Sequence, residues 1–369
     1  MGKKRFFDDR LKYLSFIQNT GEKRAISSEI FPHIKSLPKN KTYLRVLDAG
    51  TGDGTIKSNV IKSFHKYHPY TSLLITGKEI SYEDLKNTLD KMPDRFVEHP
   101  NLMVTMTNVK FAELGQIESA KKIKDKNVKR LTLVLKDDNS FDFNEQINRM
   151  GTFIKKYWGI EIDSKGRTSY SHPCLIRIYR EDHKRYLVPF INNDFENNNY
   201  DLIIASQAYR AISKTITKVS NVIAPLMRLL NVSGKLLITH SCGNDSVEKI
   251  LKQAWQDKDP FPVKAKQIIE YLKNNPVGEN TRFTYSKPKS YSFKFKRTPD
   301  QTVSELFGHG LDAKWANILY VGQIPEKDIM ALEKNASALK RVKNAILKEE
   351  RIFFKNELFA IKKLDNLLN

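Results

Sequence analysis

Cysteine is nearly absent. Cys174 and Cys242 are the two in 369 residues, too few for a disulfide framework or a four-thiolate metal site. No apolar run approaches the roughly 20 residues that cross a bilayer. The opening Met1-Gly2-Lys3-Lys4-Arg5-Phe6 has no apolar signal core, and Phe6 stands where a myristoylation signal needs Ser or Thr. These absences point to a cytoplasmic, reducing setting, with no membrane partner and no metal. Acid is also short: 63 Lys and Arg face 42 Asp and Glu, a formal charge of +21. A field of that sign draws anionic partners, nucleic acid among them. The lysines are scattered through every segment, however, which favours solvated faces over one binding tail. Apolar residues make up 40% of the chain, ample for a core. The length suits one large α/β domain with additions, or two smaller domains.

The chemistry gathers at Val46-Leu47-Asp48-Ala49-Gly50-Thr51-Gly52-Asp53-Gly54-Thr55. An apolar run from Leu44 to Leu47 reads as a buried strand, and Ile56, Val60, Ile61 and Phe64 then fall at helical spacing. Between them lies a glycine-rich turn, where the backbone can approach a ligand because glycine has no Cβ and tolerates positive φ. The spacing G-x-G-x-G is not the G-x-G-x-x-G of dinucleotide folds, and no Lys-Ser/Thr follows as in a P-loop. Leu73 to Thr76 reads as a second strand, closely followed by Glu79; a carboxylate there can accept both hydroxyls of a ribose. Ser81 caps a helix carrying Leu85, Leu89 and Met92.

Around this centre the chain divides by pattern. Residues 1–40 form a helical cover, apolar at Leu11, Leu14, Phe16, Ile17, Ile26 and Ile30, interrupted at Gly21 and closed by Pro32 and Pro38. Residues 41–110 contain the first strands, with Leu102 to Met106 the third and Asn108 just beyond it. Residues 111–199 are too long for one crossover and read as an inserted, substrate-shaping subdomain. Its strands are expected at Arg130–Leu135, Cys174–Arg180 and Arg185–Ile191, with a helix at Asn144–Trp158. Core strands resume at Tyr200–Ala205 and Lys235–His240 within 200–324, joined by a helix with Ile216, Val219, Ile223, Leu226 and Leu230 on its apolar stripe. Ser290 to Lys296 alternates as a half-buried strand, and Ala316–Ile324 is expected to be the last strand of the sheet. Residues 325–369 read as terminal helices, including one with Phe354, Leu358, Ile361 and Leu364 along one side.

The glycine turn, the second-strand acid, the Asp201 strand and the Ser233-Gly234 turn together resemble the core of class I S-adenosylmethionine-dependent methyltransferases, over blocks near 41–110 and 200–323. The resemblance implies an α/β fold: a seven-stranded sheet with helices on both faces. It also implies S-adenosyl-L-methionine as methyl donor, held by Asp48, Ala49, Gly50, Thr51, Gly52 and Gly54. Glu79 would then take the ribose, Asn108 the adenine, and Ser206 would face the donor. A second, looser similarity is to the histamine N-methyltransferase type of small-amine enzyme. In that group a glutamate of the N-terminal helices and a glutamine after the fourth strand hold the amine, and Glu22 and Gln207 stand at the matching positions. Tyr209 and His240 are candidates for the same pocket, His240 as a base or as a hydrogen-bonded neighbour. The expected activity is in-line methyl transfer to a small nitrogen-containing molecule. An RNA or protein acceptor, or a non-catalytic donor-binding scaffold, stays open, as does the oligomeric state.

Overall fold

The computed structural model describes residues 10–162, 168–187, 199–278, 280–295, 306–349 and 351–365. Two helices lead, α1 (Arg10–Asn19) and α2 (Glu22–Lys35), broken at Gly21 as the pattern predicts. Pro32 sits inside the last turns of α2 rather than ending it. Three parallel strands follow, β1 (Tyr43–Asp48), β2 (Ser72–Lys78) and β3 (Leu102–Thr107), alternating with α3 (Thr55–Tyr67) and the pair α4 (Tyr82–Leu89) and α5 (Pro93–Glu98). Five of the six residues of β1 are buried, the run-like signature of a strand covered on both faces.

Residues 111–187 hold two small hairpins, β4 (Lys122–Ile123) with β5 (Lys126–Asn127) and β7 (Ile160–Ile162) with β8 (Thr168–Tyr170). They also hold β6 (Lys129–Leu135), α6 (Ser140–Asn148), α7 (Gly151–Tyr157) and β9 (Cys174–Arg180). The two longer strands do not stand apart: β9 pairs antiparallel with β3, and β6 pairs with β9, so both widen the main sheet. The single helix expected at Asn144–Trp158 is two, divided near Arg149 and Met150. The strand expected at Arg185–Ile191 is not formed where it is described, since Lys184–Tyr186 is a 3-10 turn; residues 188–191 lie outside the described residues.

The chain re-enters the sheet with β10 (Tyr200–Ser206). It then passes through α8 (Thr215–Lys218), a π turn (Val219–Ile223) and α9 (Ala224–Arg228) into β11 (Leu230–Ser241). Leu230 therefore belongs to the strand, not to the helix. Next come α10 (Ser246–Ala254), α11 (Ala265–Asn274), β12 (Phe283–Tyr285), β13 (Lys289–Lys294), α12 (Leu306–Gly322), α13 (Glu326–Glu333), α14 (Ala336–Lys348) and β14 (Phe353–Lys363). Two expectations are reversed here. The apolar run Ala316–Ile324 is mostly helix, the end of α12. The Phe354–Ile361 stripe is strand β14, placed antiparallel beside β11. Its period misleads because both faces of β14 are covered: Phe354, Leu358, Phe359 and Ile361 are all buried, so no alternation survives.

The strand order is β12-β14-β11-β10-β1-β2-β3-β9-β6, with β13 also on β14. The run from β3 to β12 supplies the expected seven strands, and β6, β9 and β13 make ten. Alternate side chains feed two cores. Val46, Leu202, Ile204 and Leu237 pack with α2, α3 and α6, while Leu47, Ile203, Ala205 and Ile238 pack with α9 and α11. A third cluster, joining Phe16 to Phe293, Phe354 and Ile318, packs α1 and α12 over the ends of the strands.

Candidate active site

At the carboxyl end of β1 the chain turns sharply. Ala49 N–H donates to Ile204 O at 2.8 Å and Thr51 N–H to Lys78 O at 3.0 Å, so the turn is fastened to both neighbouring strands. Gly52 has φ +57, and a Cβ there would lie 2.3 Å from Tyr13 Oη; Gly54, at φ +77, would press against Thr88. Both positions therefore require glycine, by backbone angle and by space.

This turn forms one wall of a cavity of about 290 Å³. Ala49, Gly50, Gly52 and Glu79 lie on that side; Ser206, Gln207 and Ala208 enter from β10 and Ser241 from β11. Tyr13, Phe16, Glu22 and Lys23 close it from α1 and α2, Tyr320 and Val321 from α12, and Phe111 and Lys78 complete the rim. Ligands of open α/β sheets bind at this end of the strands.

Glu79 is engaged with the turn itself. Its Oε2 accepts Gly52 N–H at 2.7 Å, and Oε1 accepts from Ile80 and Ser81 N–H at 2.8 Å each. The carboxylate thus fixes the glycine loop while lining the cavity. Asp48 is buried, and neither of its oxygens meets a donor in hydrogen-bonding geometry. Burial pushes its carboxyl upward; the Lys57 ammonium, then Lys23 and the Thr51 hydroxyl, oppose the shift. Lys57 is buried too, its Nζ 3.1 Å from Met106 Sδ, and burial draws its ammonium down against the pull of Asp48. Ser206 Oγ is likewise buried without a partner among the described residues. Ser206 lines the cavity, whereas Asp48 lies behind the lining with the Lys57 cation as its counter-charge; an unpartnered hydroxyl beside a glycine cradle is what a polar ligand would satisfy.

Across the cavity the two small-amine candidates meet. Gln207 Nε2 donates to Glu22 Oε1 at 3.3 Å, to Ser241 Oγ at 3.2 Å and to Asn356 Oδ1 at 3.3 Å. Gln207 Oε1 accepts Ser241 N–H at 3.4 Å. Its backbone is left-handed, φ +50, a conformation that costs a residue with a Cβ about 1 to 2 kcal/mol. Burial raises the Glu22 carboxyl, opposed by Lys23 and by hydrogen bonds from Gln207 and Asn356. Lys23 is held charged: burial opposes the ammonium, but Tyr13 and Glu22 outweigh it.

The remaining candidates fall elsewhere. Asn108 does not line the cavity: Nδ2 donates to His172 O at 2.9 Å and Oδ1 accepts Cys174 N–H at 2.8 Å, tying the end of β3 to the start of β9. Tyr209 and His240 lie off the wall as well, joined Oη to Nδ1 at 2.8 Å, with His240 Nε2 on Glu357 at 2.8 Å. Burial lowers the imidazole, and Glu357 acts against that shift. Alternation along β11 explains the split, because Ser241 faces the cavity and His240 the opposite core. Sequence reasoning missed Tyr13, Tyr320 and Asn356. The one signal for Asn356 was a polar triplet, Lys355-Asn356-Glu357, set between Phe353-Phe354 and Leu358-Phe359.

No helix of the described residues is long and apolar enough to cross a membrane, and no group of three or more metal-ligating side chains occurs among them. No family model matches the chain, and no curated protein does. Among solved structures it is similar to a geranyl diphosphate methyltransferase in complex with S-adenosylmethionine, at 8% identity over 92% of this chain and 85% of that one, TM-score 0.34. It is similar to a precorrin-6y C5,15-methyltransferase from Geobacter metallireducens, at 9% identity over 91% and 89%, TM-score 0.32. A third is a S-adenosylmethionine-dependent methyltransferase from Archaeoglobus fulgidus, at 12% identity over 92% and 94%, TM-score 0.31. Identities are low and the TM-scores lie under 0.5, so the residues of the cavity, not these neighbours, carry the functional reading.

Proposed function

We propose that the protein is an S-adenosylmethionine-dependent methyltransferase whose acceptor is a small nitrogen-containing molecule. The observation that carries the reading is the meeting of Gln207 and Glu22 at 3.3 Å across one cavity from the Asp48–Gly54 turn. When bound, the donor supplies an electrophilic methyl group on sulfur. Ser206, the unpartnered hydroxyl on the wall, would take one of its polar atoms, Asp48 would lend negative charge from behind the turn, and Gly50 and Gly52 leave room for it. Glu79 keeps the loop in shape and has lone pairs left for a ribose hydroxyl.

The acceptor side rests on Gln207 and Glu22. Transfer to an amine needs a neutral lone pair aligned with the breaking bond, so positioning contributes most. The Gln207 amide, fixed by Ser241 and Asn356, can orient a polar nitrogen heterocycle or amide. Glu22, desolvated and without an ion-pair partner at contact distance among the described residues, supports recognition of a cationic portion. Tyr13, Phe16 and Tyr320 above it favour a compact acceptor and exclude water. Phe111 brings the 111–199 segment to the cavity rim, which supports a part for it in choosing the acceptor.

The test is calorimetric titration with S-adenosylmethionine and S-adenosylhomocysteine, followed by transfer of labelled methyl groups to cell extract split into small-molecule, protein and RNA fractions. Donor binding with label in the small-molecule fraction is expected. Absence of donor binding would overturn the reading as a whole, and label confined to RNA or protein would overturn the acceptor.

A further inference from the structure

At the end of the sheet remote from the cavity, cations meet without enough acid to balance them. Lys235 of β11 stands directly opposite Lys362 of β14 in the antiparallel pair, an arrangement in which like charges destabilise. Both side chains lie on the face that carries Leu237 and Ala360, beneath α2. Lys289 of β13 shares that face through its pairing with Leu358, four positions along β14 from Lys362 and level with Thr239, and His33 of α2 feels both Lys235 and Lys289. Glu29, the acid that reaches this group, is already engaged by Lys289 at 2.6 Å.

The cluster is strained by its own charge. His33 is drawn below its ordinary range by burial, then by Lys235 and Lys289, with Glu29 only partly offsetting them. Lys235 is lowered by burial and then by Lys362. Among the described residues its Nζ reaches a hydroxyl and no acid, Ser36 Oγ at 3.2 Å. Lys362 is partly buried, and its ammonium group has neither hydrogen bond nor ion pair among the described residues. Lys235 and Ser241, on the cavity wall, are six positions apart along β11, a span of about 20 Å. This is a different place from the site above, and nothing in it depends on methyl transfer.

We infer that this shelf, formed by Lys235, Lys289, Lys362, His33 and Ser36, is a binding site for a phosphate group. A tetrahedral oxyanion offers several acceptors at once, enough to engage the facing Lys235 and Lys362 ammonium groups together, with the Ser36 hydroxyl turning to it from His33 O and Lys289 adding its charge from farther along the same face. A monovalent halide cannot bridge them. The anion would also relieve the repulsion between the two facing lysines. Inorganic pyrophosphate and the backbone of single-stranded RNA carry the same group, and the two are separated by titrating each.

The experiment measures thermal unfolding and calorimetric binding in pyrophosphate, in a short single-stranded RNA and in sodium chloride of matched ionic strength. Wild type, Lys362→Thr and Lys289→Thr are compared. Pyrophosphate or RNA should raise the melting temperature of the wild type above the chloride control. Lys362→Thr should melt at the same temperature as wild type or higher in chloride, because a facing charge is gone, yet bind the responding ligand at least tenfold more weakly. Lys289→Thr, on the exposed edge, should also weaken binding without unfolding the protein. Response to RNA alone assigns the phosphate to a nucleic-acid backbone, and response to pyrophosphate alone to a small ligand. Equal melting in all three solutions, or anion binding unchanged in both variants, overturns the proposal.

Discussion

Gln207 and Glu22 lie 185 positions apart and touch at 3.3 Å, the glutamine held there with a left-handed backbone, φ +50. Strain of this kind persists where the surroundings over-determine it, and it collects at functional sites. Here Thr239 O fixes the Gln207 N–H at 2.9 Å, and Ser241 and Asn356 fix its amide.

The backbone and the amide of Gln207 are therefore separable. Gln207→Gly should be more stable than Gln207→Ala by about 1 kcal/mol, since glycine removes the left-handed penalty. Both should lower methyl transfer to the identified acceptor about tenfold or more, with donor affinity nearly unchanged. Denaturant melts and steady-state kinetics on the two variants check this, and equal stability of the pair would remove strain from the account.

Asn356 should behave as a member of the same group. It accepts from Gln207 and lies 3.5 Å from Tyr291 Oη. Asn356→Asp should put a second carboxylate beside Glu22 and raise the Glu22 carboxyl further. The acceptor pH profile should then move to higher pH, which kinetics from pH 5 to 9 would show; Asn356→Ala, which removes a hydrogen bond that lowers Glu22 but adds no charge, should lose turnover and move the midpoint the same way by less.

The glycine turn gives a donor-side prediction. Gly52→Ala should abolish donor binding, because its Cβ would meet Tyr13 Oη and its φ is +57. Adding Tyr13→Phe removes the oxygen but not the backbone strain, so affinity should recover only in part. Glu79→Ala leaves three backbone N–H groups without their acceptor and should weaken donor binding by about 1 to 3 kcal/mol. Calorimetry on each variant is the measurement.

Acid should unfold the protein partly through His99. Its ring is buried, Nε2 donating to Thr71 O at 3.1 Å and Nδ1 facing His65 Nδ1 at 3.2 Å. Burial, then the His65 ring, pushes it down to about 4. A depressed histidine stabilises the fold fully above its unfolded value near 6.5, and that stability is lost as pH falls toward 4. The loss amounts to about 3 kcal/mol at most. Urea melts of wild type and His99→Gln between pH 4 and 8 should show a shallower acid slope in the variant.

What was legible in the residues followed physical simplicity. The Asp48–Gly54 turn was clear because three glycines at fixed spacing between a strand and a helix have few alternative uses. Glu22 and Gln207 were named together by the small-amine resemblance as holders of one acceptor; that they would touch each other depended on packing between α2 and the sheet. Ala316–Ile324 misled because an apolar run buried all round has no period to separate helix from strand. The β14 stripe misled for the complementary reason, since apolar residues at 354, 358 and 361 mimic a helical face when a strand is covered on both sides. Asn108 shows a third cause. A polar residue past a strand end suits a ligand contact, but here it is consumed in pinning β9 to β3, the joint through which residues 111–187 attach to the sheet. Deleting that segment would also strip Phe143, Trp158 and Ile176 from the main core, so its role is better tested at Phe111 than by truncation.

The position of β14 bears on how the protein comes into being on the ribosome. Residues 353–363 are made after every other described strand, yet they slot between β11 and the edge formed by β12 and β13. Until they emerge, β11 is an open edge and β12 and β13 lack their partner. Asn356 and Glu357 arrive in that same final insertion. A nascent chain can therefore complete the glycine turn and its three parallel strands early, but not the Gln207 network. The Gln207 network therefore closes only once β14 has joined, and a chain cut short before residue 353 is left with a half-built sheet and an exposed strand edge for chaperones and proteases to find.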